Sequence, residues 1–162
     1  MGRRRRWAKT KGLASCKVCH EPKCNITLPE GFDGVARFDG ACRGAQREAG
    51  GAGVWAKAGD KETRIAARLD TGHVTNNVAE LTAALMAAKR LRDWGCTRVL
   101  IQGDSELVVK WVTGVYRCRA PHLQSMVEEL RGVLAGFSYA HIEHIYREHN
   151  ALADALANKA HP

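Results

Sequence analysis

Apolar and polar residues alternate over Gly34–Asp39, the mark of a half-buried strand. The Gly-rich stretch from Gly44 to Gly53 reads as a turn. Gly53–Ala58 and Glu62–Asp70 read as two further short strands, with Gly59-Asp60 as the hairpin turn between them. Then the period changes. From Asn77 to Trp94, residues Leu81, Ala84, Leu85, Ala88 and Leu91 recur at helical spacing. Thr75, Asn76 and Asn77 are candidate N-caps, and Gly95 closes the helix. Arg98–Gln102 is a short strand, Ser105–Thr113 a helix closed by Gly114, and Pro121–Leu134 a helix closed by Gly136. Ser138–Tyr146 alternates again, and Asn150–Ala160 is a last helix with Asn150 as cap. The order β-β-β-α-β-α-α-β-α predicts an α/β fold. Three antiparallel strands followed by parallel crossovers give a mixed five-stranded sheet flanked by helices.

Composition narrows the class. A chain of 162 residues is the size of one ordinary domain, and 45% hydrophobic residues suffice for a core, which excludes a disordered protein. No apolar run approaches the roughly 18 residues of a membrane span, so a soluble protein without a membrane partner is expected. The net charge of +8 is unevenly placed. Residues 1–31 carry a net +6 and residues 32–162 a net +2, so the excess belongs to a tail and not to the domain. Residues 1–31 are read as that tail and residues 32–162 as the folded domain. Arg3, Arg4, Arg5 and Arg6, followed by Trp7, Lys9 and Lys11, form a block that attracts polyanions such as nucleic acid. Trp7 could stack on a base. A solvated tail or an address label explains the same block. An organelle presequence fits less well, because the first 20 residues hold one Ser and little amphipathic periodicity.

Six cysteines without a secretory signal point to free thiols in an intracellular compartment, whether cytoplasm, nucleus or organelle matrix. Cys16, Cys19, His20 and Cys24 form one cluster whose soft ligands suit Zn²⁺, although they are spaced more tightly than the usual two-knuckle site. Free thiols are the simpler reading. The Cys-x-x-Cys-His string also occurs at haem attachment sites, but nothing downstream offers a haem pocket.

Four carboxylates fall at strand ends or helix starts. Asp39 closes the first strand, Asp104 follows the fourth, Glu80 lies in the first turn of the long helix, and Asp154 lies one turn into the last helix. Each has an ordinary explanation on its own. Asp104 could be a helix N-cap, Glu80 half of a capping box with Asn77, Asp154 a helix-dipole partner, and Asp39 a turn residue before Gly40. Together they are harder to dismiss, because the topology brings all four toward one end of the sheet. Acids gathered there repel one another unless a divalent cation neutralises them, and hard oxygen ligands suit Mg²⁺ or Mn²⁺.

Four segments carry a resemblance: Phe38-Asp39-Gly40-Ala41, Thr75-Asn76-Asn77-x-Ala79-Glu80-Leu81, Gly103-Asp104-Ser105 and Arg147-Glu148-x-Asn150-x-x-x-Asp154-x-Leu156-Ala157. In order and spacing they resemble the catalytic segments of type 1 ribonuclease H, over about Phe32 to Ala160. The Arg-Glu-x-Asn-x-x-x-Asp form is similar to the archaeal and plant-type branch. The resemblance implies a ribonuclease H-like fold and an endonuclease that hydrolyses the RNA strand of an RNA–DNA hybrid. It implies that Asp39, Glu80, Asp104 and Asp154 hold two Mg²⁺ or Mn²⁺ ions. It further implies that Gly40, Ala41, Asn76 and Asn77 touch the RNA strand, and that Thr75 and Asn76 cradle a DNA phosphate.

Two departures from the family stand out. His144 falls at the offset of the product-releasing histidine of bacterial relatives but lies within the last predicted strand, so His149 or Arg147 is expected to serve. Residues Trp111–Pro121 are too few for the basic helical protrusion of those relatives, a role the Arg-rich tail could take. Trp55, Trp94 and Trp111 are expected in the core, and His73, His122 and His141 without a special role. A second reading remains open at this stage: a ribonuclease H-like domain kept as a structural RNA-binding subunit of a large ribonucleoprotein, such as an organellar ribosome, with the basic tail threaded into RNA.

Overall fold

The computed structural model describes residues 28–42, 49–70 and 74–160. The Arg3–Arg6 block, Trp7, the Cys16/Cys19/His20/Cys24 cluster and His73 lie outside the described residues. The elements follow the expected order: β1 (Gly34–Cys42), β2 (Gly50–Ala58), β3 (Lys61–Leu69), α1 (Asn76–Asp93), β4 (Arg98–Gly103), α2 (Glu106–Val112), α3 (Pro121–Ala135), β5 (Tyr139–His144) and α4 (Ala151–Ala160). A short 3-10 turn, Arg147–His149, joins β5 to α4. The sheet order is β3-β2-β1-β4-β5. β1 runs antiparallel to β2 and parallel to β4, which in turn is parallel to β5.

Side-chain alternation divides the sheet into two faces. Ala36, Phe38, Val54 and Ile101 join Leu81, Ala84, Ala88 and Leu130 in the main core, under α1 and α3. Val35, Trp55 and Leu100 point the other way and pack against Leu152 of α4, with Leu28 and Phe32 beside them. Trp55 and Trp111 are buried as expected, whereas Trp94 caps the end of α1 half-buried, with the Arg90 guanidinium 5.9 Å from its ring. No described helix is long and apolar enough to cross a membrane.

The main correction concerns the glycines. Gly50–Gly53 are not a turn but the start of β2, paired with Cys42 through Asp39 of a β1 that runs three residues further than its apolar alternation suggests. The physical reason is the backbone packed on them. A Cβ on Gly53 would collide with the Ala153 carbonyl and the Ala157 amide of α4, and one on Gly40 with the backbone of Ala79 and Glu80 in α1. Glycine inside a strand marks such an approach as well as a bend. Asn150 is also corrected. It precedes α4, but its fully buried side chain donates from Nδ2 to the Phe38 carbonyl at 2.8 Å, and its Oδ1 caps nothing.

Gly53→Ala should lower stability by about 1–3 kcal/mol, because neither helix backbone atom can give way. Gly132→Ala, where a Cβ on α3 meets nothing within 4 Å, should raise it by about 0.5–1 kcal/mol. Urea unfolding of the two variants beside wild type checks both signs.

Candidate active site

Parallel pairing places the first two acids. β1 and β4 pair as far as Phe38 with Gly103, so the next residues on each strand, Asp39 and Asp104, stand side by side. The third comes from α1. Thr75 caps this helix, its Oγ1 accepting from the Val78 amide at 3.2 Å, and the second turn then rests on Gly40. Glu80 is thereby delivered beside Asp39. The fourth comes from α4, which lies on Gly53, the β2 partner of Asp39. One carboxylate oxygen from each of Asp39, Glu80 and Asp104 lies within 4.8 Å of the others. Asp154 lines the same cleft and makes a side-chain hydrogen bond with Asp39 without lying close to all three, and its Oδ1 is 3.7 Å from Nη2 of the exposed Arg147.

The ordinary explanations of the acids mostly fail. Ser105, not Asp104, caps α2, accepting from the Val108 amide at 3.4 Å. Glu80 lies beyond the first turn of α1, because the helix starts at Asn76 and is capped by Thr75. Asp39 is in mid-strand and not in a turn. Only Asp154 keeps its place in the first turn of α4, where the helix dipole favours it.

The electrostatics are adverse as they stand. Burial, then the neighbouring Glu80 and Asp104 carboxylates, push the Asp39 carboxyl from 3.8 up to about 10. Burial and Asp104 push Glu80 up to about 8. Glu80 Oε2 is buried with no hydrogen-bond partner, a costly state for a carboxylate oxygen. A buried orphan oxygen among three converging carboxylates fits a hard divalent cation, which would supply the missing partner and the missing charge.

Of the sequence-predicted site residues, Asp39, Gly40, Ala41, Asn76, Asn77, Glu80, Asp104, Arg147 and Asp154 line one cleft. Thr75 does not line it and serves as the α1 cap. His149 does not line it either, and its carbonyl accepts from Arg37 at 2.7 Å. His144 closes β5 in an edge-on contact with Tyr146, with ring centroids 5.7 Å apart. Cys42, Ser105 and Asn158 also line the cleft and were not singled out. Two positions carried a signal: Ser105 follows Asp104 directly, and Asn158 lies one helical turn beyond Asp154. Cys42 became visible only once β1 proved longer.

Comparison with known proteins supplies the family and fold to which the chain is similar. Residues 37–160 match the family described as Reverse transcriptase-like. Ribonuclease HI of Halobacterium salinarum is 36% identical over 133 residues, 77% of this chain and 62% of the relative. The crystal structure of RNase H1 from that archaeon superposes with a TM-score of 0.68, covering 78% of this chain and 96% of that one. The bifunctional protein Rv2228c of Mycobacterium tuberculosis is 32% identical over 128 residues, 78% of this chain and 35% of the relative. LC11-RNase H1, solved in complex with an RNA/DNA hybrid, is 29% identical with a TM-score of 0.65, over 78% of this chain and 95% of that one. The chain thus spans less than two thirds of the length of these two curated relatives.

The raised carboxyls set the sign of a pH dependence. A group that binds its proton more tightly when folded lends stability below its unfolded pKa and withdraws it as pH rises through the folded one. The metal-free protein should therefore lose stability as pH climbs from near 4 through about 8 and toward about 10. Asp39→Asn should flatten that loss. Calorimetry in EDTA should show a gain of about 1 kcal/mol or more, or roughly 3 °C in Tm, at about pH 9, and little difference at about pH 5.

Proposed function

That this chain belongs to the type 1 ribonuclease H family is the premise from which we propose its function: hydrolysis of the RNA strand of RNA–DNA hybrids. The observation that carries the proposal is the convergence of Asp39, Glu80 and Asp104 within 4.8 Å around a buried, unpartnered Glu80 oxygen. Asp154, in side-chain hydrogen-bond contact with Asp39, completes the set of four acids. Such oxygen ligands suit Mg²⁺ or Mn²⁺. When bound, a pair of these cations supplies the charge that lowers the pKa of an attacking water and stabilises the leaving oxygen.

The chain's own residues position the substrate. Phosphoryl chemistry asks mainly for alignment and charge neutralisation, so no covalent nucleophile is needed. Asn76 and Asn77 open α1, and the free amides of a helix start attract a phosphate. Gly40 and Ala41 line the cleft with little side-chain bulk, leaving room for a sugar to lie. Arg147, with its side chain 78% exposed, can swing from Asp154 to a phosphate. Choice of RNA over DNA at the cut strand rests on the 2′-hydroxyl, which only RNA offers to these polar groups.

Cleavage of an end-labelled hybrid in Mg²⁺ and in Mn²⁺ tests the reading, with single-stranded RNA and RNA duplex as controls. Wild type should cut the hybrid alone. Asp39→Asn and Asp104→Asn should each lose at least about 100-fold in kcat while remaining folded. A well-folded wild type inert with both metals would overturn the enzyme and return the structural ribonucleoprotein reading.

A further inference from the structure

A buried cation stands two residues before Asp39 on the same strand face. Arg37 is 6% exposed. The same face carries the apolar cluster of Val35, Trp55, Leu100 and Leu152, with Trp55 directly opposite Arg37 on β2. Its Nε donates to Gln102 Oε1 at 3.1 Å and its Nη1 to the His149 carbonyl at 2.7 Å. Gln102 passes the interaction on, donating from Nε2 to Glu143 Oε1 at 2.6 Å. Glu143 in turn faces His141, Nε2 to Oε2 at 3.3 Å. Pairing puts this chain of groups in one row across the sheet, since Arg37 is opposite Gln102 and Gln102 opposite Glu143. The charge on Arg37 thus has a carboxylate counterpart two strands away, held through an amide.

The row ends at the segment that carries Asp154. His149 gives its carbonyl to the Arg37 side chain, and Asn150 gives its side-chain amide to the Phe38 carbonyl at 2.8 Å. Two consecutive residues before α4 are therefore fastened to two consecutive residues before Asp39. The Asn150 carbonyl then accepts from the Asp154 amide at 3.0 Å. Resting on the ribonuclease H reading, we infer that Arg37 is a positioning residue, fixing the Arg147–Asn150 segment, and with it Asp154, against the strand that carries Asp39.

Stability alone is a poor reason for a guanidinium at this place. A buried charged network is often no more stable than apolar residues of similar volume replacing all of it, whereas removing Arg37 alone leaves Gln102 Oε1 and the His149 carbonyl without their donor. What methionine cannot supply is a donor for the His149 carbonyl. The arrangement trades packing for the location of one carbonyl, and that location sets where α4 begins.

The full chain is compared with Arg37→Met and Arg37→Lys by thermal melting, hybrid cleavage and amide hydrogen exchange. Arg37→Met should melt below wild type, because two buried acceptors lose their donor, and should keep its KM within about twofold while kcat falls by about 10-fold or more. Amides of residues 149–155 should exchange at least about tenfold faster, with those of β1, β2 and β4 unchanged. Arg37→Lys, which keeps the charge and one donor, should recover part of kcat. Unchanged kcat and exchange in Arg37→Met would overturn the inference, as would exchange that quickens as much in β1, β2 and β4 as in residues 149–155. If Arg37→Met does not fold, Arg37→Lys carries the same test through the exchange of residues 149–155. An inert wild type would sink the ribonuclease reading, and the exchange data would still decide the clamp.

Discussion

Two helices lie directly on the backbone of one hairpin. α1 meets β1 at Gly40 and α4 meets β2 at Gly53, each so closely that a methyl group could not be placed between them. Gly53 is paired with Asp39, and Gly40 follows it. Both helices are thus drawn against the point where Asp39 sits, from opposite faces of the sheet. The Ala-rich face of α1 serves the same end, because Ala79, Ala83 and Ala87 are small enough to let the helix axis settle low over the strands. Close packing is ordinarily discussed as a source of stability. Here it sets the separation of carboxyl groups, and a core built from larger side chains could fold the same sheet while spreading the acids apart.

That separation works against the fold when no cation is present. Buried carboxyls are pushed toward their neutral forms, and Glu80 Oε2 has no partner. The rest of the domain must offset this unfavourable knot, and it does so with an apolar core on one sheet face and a smaller cluster around Trp55 on the other. Sites that hold like charges together are often strained in this sense, with stability given up where chemistry needs it. The acids are also poorly matched in depth. Asp39 is buried, whereas Asp154 keeps about a third of its side chain exposed. Glu80 and Asp104, like Asp154, are only partly covered, so Asp39 is the deepest of the four.

Much of this was legible in the chain itself, for definite reasons. Strand and helix periods gave every element in order, because apolar residues repeat at two or near three and a half wherever one face is covered. The four acids were legible because each was expected beside an element boundary, and boundaries converge at one end of a sheet, although Asp39 proved to lie inside β1 and Glu80 beyond the first turn of α1. Distances were not legible. The spacing of motifs gave no hint that Asp154 stands outside the inner cluster. Gly50–Gly53 looked like a turn because glycine speaks for a turn until another backbone is known to lie on it. Asn150 looked like a cap because its preferred bond, to the Phe38 carbonyl, is with a residue 112 positions away. Arg37 reads as a solvent-facing position of an alternating strand. Only the docking of α4 and the register of β4 and β5 turn it inward.

The acids come from β1, α1, the end of β4 and α4, and they span the chain from position 39 to position 154. No shorter stretch holds them all. Contacts between residues so far apart are late to form, since the loops between them must close first. A growing chain that has already made its hairpin and its longest helix still lacks Asp154 and the segment that seats it. The set of four acids is therefore complete only once α4 is in place, and a molecule without that helix holds three of them.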